Sequence, residues 1–143
     1  MSIEQNKLVV RRLYQEANDQ ARFDLLDELV ADDAAIHTPA PIDAPGREGF
    51  RQLLSFFRAA FPIQHTEIHT LIAEGDLVVA HHTHYATNAG VFMGMPPTGR
   101  EVVVQGIEIF RIAGGQIAEM WHHDDMLSLF QQLGIIPAPG QAR

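Results

Sequence analysis

Apolar and polar positions in this chain follow two periods, and the change falls at Pro62. Before it, Ile3, Leu8, Val9, Leu13, Tyr14 and Ala17 recur at close to helical spacing, which predicts an amphipathic helix over residues 3–19. Ser2 is placed to cap it, with Gln5 three residues on as the capping-box partner. Phe23, Leu25, Leu26, Leu29 and Val30 predict a second helix over 22–31, and Ala34–Thr38 reads as a short strand. Pro39, Pro41, Pro45 and Gly46 mark a loop. Phe50, Leu53, Leu54, Phe57 and Phe61 form the stripe of a third helix over 47–60.

After Pro62 the period becomes two. Strands are expected at about 63–74, 77–87, 101–112 and 116–125, followed by a closing helix at 126–133. Gly75-Asp76 and Gly114-Gly115 are hairpin turn signals, and Gly90–Gly99 is a Gly/Pro loop between two long strands. Gly134 ends the last helix, Pro137 and Pro139 stop further structure, and the tail from Ile135 is expected to be loose or packed against a partner. Helices first and meandering strands later define an α+β class, with one domain over 1–143 and its core over about 3–134.

Composition narrows the partners. Ten Lys and Arg stand against 18 Asp and Glu, and no basic run occurs, which disfavours nucleic acid. The absence of cysteine excludes disulfides and thiol catalysis. No apolar run approaches the roughly 20 residues of a membrane span, and the polar N-terminus lacks a signal-peptide core, so no membrane partner and a cytoplasmic location are expected. Gly-rich phosphate loops, nucleophile elbows and Walker sequences are missing, and no cofactor is expected.

The candidate chemistry concentrates in Glu119-Met-Trp-His-His-Asp-Asp125. Strand alternation puts Ala118, Met120, His122 and Asp124 on one face and Glu119, Trp121, His123 and Asp125 on the other. In the preceding strand Val102, Val104, Gly106, Glu108 and Phe110 share a face. Two hairpin registers are open. Pairing residue 112 with 117 sets Glu108 near Trp121; pairing 112 with 116 keeps Glu108 and His122 on one face. A buried histidine beside a carboxylate is held in one tautomer and can take a proton near pH 7, which suits removal of a proton α to a carbonyl or activation of water.

His81-His-Thr-His84 is a second cluster. His82, His84, His122 and Asp124 have the residue types of a divalent metal site, but alternation makes such sets by chance, and a solvated or interface face, or a metal-free pocket lining, is preferred to a metal centre. His65, Glu67 and His69 share a face opposite Thr66, Ile68, Thr70 and Ile72, and are expected on the outer side of the sheet. His37 is a candidate for the mouth of the pocket, and Trp121 for an outer-face anchor.

Phe92-Met-Gly-Met-Pro-Pro-Thr-Gly99, Gly106-Ile-Glu-Ile-Phe-Arg-Ile112, Gly115-Gln-Ile117, Trp121, and Leu129 through Gln132-Leu-Gly134 resemble the SnoaL-like polyketide cyclases of the nuclear-transport-factor-2-like superfamily, over residues 3–134. The resemblance implies a curved antiparallel sheet forming a cone (a cystatin-like α+β barrel), closed by the N-terminal helices over an apolar pocket, and a homodimer or homotetramer built through the outer faces of the sheets. The family's acidic acid/base residue falls on His122 and its supporting histidine on Glu108, so the two residue types look exchanged. His122 is therefore the expected general base, with Glu108 orienting it and Asp124 or Asp125 as alternative carboxylates. His82, His84, Tyr14, Leu53, Phe57, Phe92, Phe110 and Met120 are the expected substrate contacts. The implied function is cofactor-independent acid/base catalysis on a small hydrophobic, carbonyl-bearing substrate, such as aldol cyclisation or isomerisation. The alternatives are a non-catalytic ligand binder, a hydrolase of the same superfamily, or a structural module, since one fold hosts many functions.

Overall fold

A computed structural model describes residues 2–140. Helix α1 spans Ile3–Arg12 and starts as the sequence predicts: Ser2 Oγ accepts from Gln5 N (3.1 Å) and Gln5 Oε1 accepts from Ser2 N (2.9 Å). The helix continues to Asn18 with a change of winding. Leu13–Asn18 is a π-helical turn, in which Asp19 N donates to Tyr14 O five residues back (2.9 Å). Widened turns of this kind re-aim side chains and are frequent at functional sites. A 3-10 turn at Phe23–Leu25 leads into a short α2, Leu26–Leu29. The helix expected over 22–31 thus stops early. Val30 is extended and opens β1, Val30–His37, because this β-branched residue pairs with Ile117 in the sheet. Helix α3, Gly46–Ala60, matches its apolar stripe.

Four strands follow: β2, Gln64–Glu74; β3, Leu77–Thr87; β4, Glu101–Ala113; and β5, Gln116–Trp121. They form a curved, unclosed five-stranded sheet in the order β1-β5-β4-β3-β2. The hairpins are antiparallel, whereas β1 joins β5 in parallel. Its connection to β2 runs through α3, which packs on β1 and closes the concave side.

Two bulges set which residues face inward. Between β4 and β5, Ile112 pairs with Ile117 but Phe110 pairs with Met120 and Gly106 bridges Asp124. Ala118 is the extra residue, so the hairpin starts in the first register and leaves it one residue later. Between β2 and β3, Ile68 pairs with His82 and Thr70 with His81, leaving His69 as the extra residue. The face reverses there. Thr66 is buried, whereas Ile72, expected on the same face, is 61% exposed and Leu71 and Ala73 pack inward instead. His65 and Glu67 lie outward as expected.

The last expected strand, 116–125, ends at Trp121 as regular structure. Beyond it His122 N donates to His37 O on β1 (2.9 Å), and Ile107 N donates to His123 O on the other side (3.0 Å). This segment therefore stays bonded between both neighbours. Helix α4, Met126–Gln132, is capped by Asp125, whose Oδ1 accepts from Ser128 N (3.0 Å). Gln132 pairs its amide with the Val103 backbone, accepting from N (2.9 Å) and donating to O (2.8 Å), which fastens α4 to the outer end of β4. The tail is not loose at its start: Ile135 N donates to Phe130 O (2.9 Å) and its side chain packs on the apolar cluster around Phe61, Phe92 and Leu129. The expectation for Gln141–Arg143 lies outside the described residues. Among the described residues no helix is long and apolar enough to cross a membrane.

Candidate active site

A cavity of about 800 Å3, its open mouth included, lies between α3, the π-turn of the first helix and the concave sheet face. Its walls are apolar, with Leu53, Phe57, Phe110 and Met120 among them as expected. Apart from Asn18 and Gln64, which bond to each other, the polar groups are Tyr14, His84, Glu108, His122 and Asp124, which converge at one end.

Asp124 is the hub. Its Oδ2 lies 2.9 Å from His122 Nε2 and 4.0 Å from His84 Nε2, and its Oδ1 lies 3.6 Å from His82 Nε2. The second nitrogen of His122, Nδ1, meets Thr38 Oγ1 at 2.8 Å. Phe57 packs edge-on to the His122 ring, with centroids 6.0 Å apart. Glu108 Oε1 accepts from Tyr14 Oη (2.7 Å) and from His82 Nε2 (2.5 Å). Glu108 Oε2 and Asp124 Oδ1 are both buried and neither has a donor from another group. Their ligand atoms lie within 4.8 Å of one another, and two buried carboxyl groups this close do not both ionise readily. A proton retained on Glu108 Oε2 and donated to Asp124 satisfies both oxygens.

The electrostatics agree with this assignment. Burial pushes the Glu108 carboxyl well above the usual carboxylate range, and the Asp124 charge pushes it further. Burial alone would also raise Asp124, but its hydrogen bond and charge interaction with His122 outweigh that and hold it ionised. For His122 burial acts downward, and the Asp124 hydrogen bond and charge reverse it, so this imidazole titrates above its ordinary value. His84, by contrast, is pushed down to about 4 by burial, and burial lowers His82 as well. These shifts favour a carboxylate–imidazolium pair, Asp124 with His122, backed by a neutral Glu108 and two neutral histidines.

Sequence reasoning placed Glu108 beside His122. The fold places Asp124 between them, because the Ala118 bulge sets Gly106 rather than Gln105 against position 124 and so turns Asp124 to the inner face. Gly106 is required there: a Cβ would collide with Asp124 Oδ1 and press to 3.0 Å on His82 Nε2. Two expected substrate contacts do not reach the cavity. His82 is fully buried behind Glu108 and Tyr14, and Phe92 is enclosed among Phe56, Phe57, Phe61 and Phe130. His37 does not reach the mouth either. It stacks on Trp121 at 5.3 Å and meets Glu119 Oε2 at 2.7 Å on the outer face. Thr38, Thr66 and Asn18 were not anticipated. Thr38 meets His122 just past the end of β1, Thr66 meets His84 from β2, and Asn18 lines the cavity from the π-turn; none of these placements leaves a mark in the apolar pattern.

His82, His84, Glu108 and Asp124 each offer a ligand atom within 4.8 Å of the others. Ligand atoms around a zinc ion at about 2.0–2.1 Å stand more than 3 Å apart. His82 Nε2 and Glu108 Oε1 stand at hydrogen-bond distance, closer than two ligands of one ion, so the arrangement fits a hydrogen-bonded network better than a metal cage.

The open, curved sheet with a helix-covered concave face is of the nuclear-transport-factor-2-like class. The chain belongs to the SnoaL-like polyketide cyclase family, whose profile matches residues 8–133. It is 30% identical over 132 residues to the aklanonic acid methyl ester cyclase DauD of Streptomyces sp. (strain C5), covering 88% of this chain and 80% of that protein. It is 30% identical over 122 residues to the nogalonic acid methyl ester cyclase of Streptomyces nogalater, covering 82% and 90%. Among solved structures, TsrD from Streptomyces laurentii superposes with a TM-score of 0.85 at 26% identity, covering 95% of this chain and 99% of the other.

Proposed function

We propose that this protein closes a ring in a polyketide methyl ester by an intramolecular aldol reaction, without a cofactor, with Asp124 and His122 as the acid/base pair. The observation that carries the reading is the 2.9 Å contact between Asp124 Oδ2 and His122 Nε2 at the polar end of an otherwise apolar cavity. Asp124 removes a proton from the carbon α to the substrate carbonyl. The enolate forms beside the His122 imidazolium, whose positive charge offsets the charge that develops. The α-carbon then attacks a ketone carbon of the same molecule. One C–C bond forms, the ketone π-bond opens, and the proton taken up by Asp124 passes to the new alkoxide. No atom is gained or lost. Glu108 stays neutral, and its proton holds Asp124 Oδ1 so that Oδ2 faces the cavity. His122 is thus read as the charged partner rather than as the base.

The test is incubation of the purified protein with aklanonic acid methyl ester, followed by chromatography and absorbance for a product of unchanged mass. Wild-type protein is expected to convert it, with Asp124→Asn slower by about 100-fold or more. Full turnover by Asp124→Asn would reject the assignment. Tight binding of the ester without turnover would make the protein a binder.

A further inference from the structure

A hydrogen-bond chain of fixed polarity ends on His84. Asp19 Oδ2 accepts from Thr66 N (2.7 Å) and Asp19 Oδ1 accepts from the Thr66 hydroxyl (2.7 Å). The Thr66 proton is thereby committed to Asp19. Its oxygen, 2.9 Å from His84 Nδ1, can only accept, so the proton of the neutral imidazole sits on Nδ1. Nε2 is left with a bare lone pair. It lines the cavity 4.0 Å from Asp124 Oδ2, itself an acceptor already bonded to His122. The other rings near it are Tyr14 and His82, and both of those side chains are turned to Glu108. Two acceptors 4.0 Å apart with no donor between them call for an O–H from the ligand.

We infer that His84 Nε2 is a fixed acceptor for a hydroxyl of the substrate, so the site selects polyketides carrying a phenol or enol O–H close to the carbon that Asp124 deprotonates. This rests on the proposed cyclase reading for the word substrate, but not for the hydroxyl preference itself. A hydroxyl about 2.8 Å from Nε2 lies next to Asp124, roughly two or three bonds from the reacting carbon. His84 is a specificity residue in this scheme: it binds and orients, and moves no proton.

Two measurements on the whole protein test this. Long-range 15N–1H correlation NMR reports the tautomer, and His84 is expected to show a protonated Nδ1 and an unprotonated Nε2. Fluorescence titration with 2-naphthol and 2-methoxynaphthalene, an O–H donor and its blocked counterpart, reports the preference. Wild-type protein is expected to favour 2-naphthol by roughly tenfold, the scale of one hydrogen bond. His84→Phe should erase that preference while keeping affinity for the methyl ether. Thr66→Val, which removes the hydroxyl that fixes the tautomer, should weaken the preference and keep the ring. A proton on Nε2 in the free protein, equal binding of the two probes, or failure of both to bind would overturn the inference. The cyclase reading is judged separately, since an inactive protein that still prefers 2-naphthol would refute only that reading.

Discussion

Asp124 lies directly across the β4–β5 ladder from Gly106, and its carboxylate occupies the space that any side chain at 106 would fill. Gly106→Ala should therefore move the carboxylate away from His122 while the sheet stays folded. A displacement of about 1 Å at a reacting group costs on the order of 100-fold in rate. Turnover should fall by about that much, with a stability loss of about 1–3 kcal/mol from overpacking. Unchanged kinetics would mean that Asp124 has freedom to shift.

Under the proposed mechanism the raised pKa of His122 should set the alkaline limit of activity. The imidazolium is the working form, so kcat should fall as pH rises through its value in the fold. His122→Gln should be slow at every pH and lack that limb in a pH–rate profile. The same pair fixes the sign for stability. Asp124 titrates low, so its contribution is present at neutral pH and lost as pH falls through its folded value. His122 titrates high, so its contribution is complete below its unfolded value and lost as pH rises through the folded one.

Glu108 follows the sign of His122 and opposes that of Asp124. Its folded value is raised, so its contribution is complete below the unfolded value of about 4.3 and drains away as pH climbs towards the folded one. Glu108→Gln keeps the group neutral throughout. It should be more stable than wild type by on the order of 1 kcal/mol at pH 8, with no advantage at pH 4. Thermal melts at the two pH values decide this, and a variant destabilised equally at both would point to an ionised Glu108.

Tyr14→Phe removes a donor from the buried Glu108 and leaves no replacement. A loss of about 1–3 kcal/mol in denaturant titration is expected. Activity should fall more than stability alone would explain, because Glu108 then holds Asp124 less firmly.

Asn88 is 1% exposed and ties the Gly90–Gly99 loop to the end of α3. Its Oδ1 accepts from Thr98 N (2.7 Å) and Oγ1 (2.9 Å), and its Nδ2 donates to Gly90 O (3.0 Å). Asn88→Ala leaves these groups unpaired and should cost about 2–4 kcal/mol, read as a drop in melting temperature with the active-site residues untouched.

The parts of this fold that were legible in the sequence are those where one residue decides one conformation. Gly75 and Gly114 mark hairpins, Ser2 and Gln5 start a helix, and the alternation of Val102 through Ile112 marks a strand with one buried face. The parts that were not legible depend on a count. Ala118 and His69 are ordinary strand residues whose only distinction is having no partner across the ladder, and nothing in their chemistry announces that. The same holds for the π-turn, whose residues read as plain helix. The candidate site suffered accordingly. His122, Glu108 and Asp124 were visible as a set because imidazoles and carboxylates stand out on an apolar face. Which of them touch was settled by the bulge, and Thr38 and Thr66 were hidden because a threonine in a strand is usually there for its shape.

Ala118 acts as a frame shift within a single strand. Up to that residue one set of positions looks inward, and after it the other set does. Pairing it across the ladder, so that the register set by Ile112 and Ile117 ran on unbroken, would carry His123 and Asp125 to the inner face and turn His122 and Asp124 outward, leaving composition unaltered. A second histidine–aspartate couplet thus stands one step out of phase with the first. In a lineage that irons out the bulge while keeping the residue, the chemistry of the cavity passes from one couplet to the other without any change in the residue types that perform it.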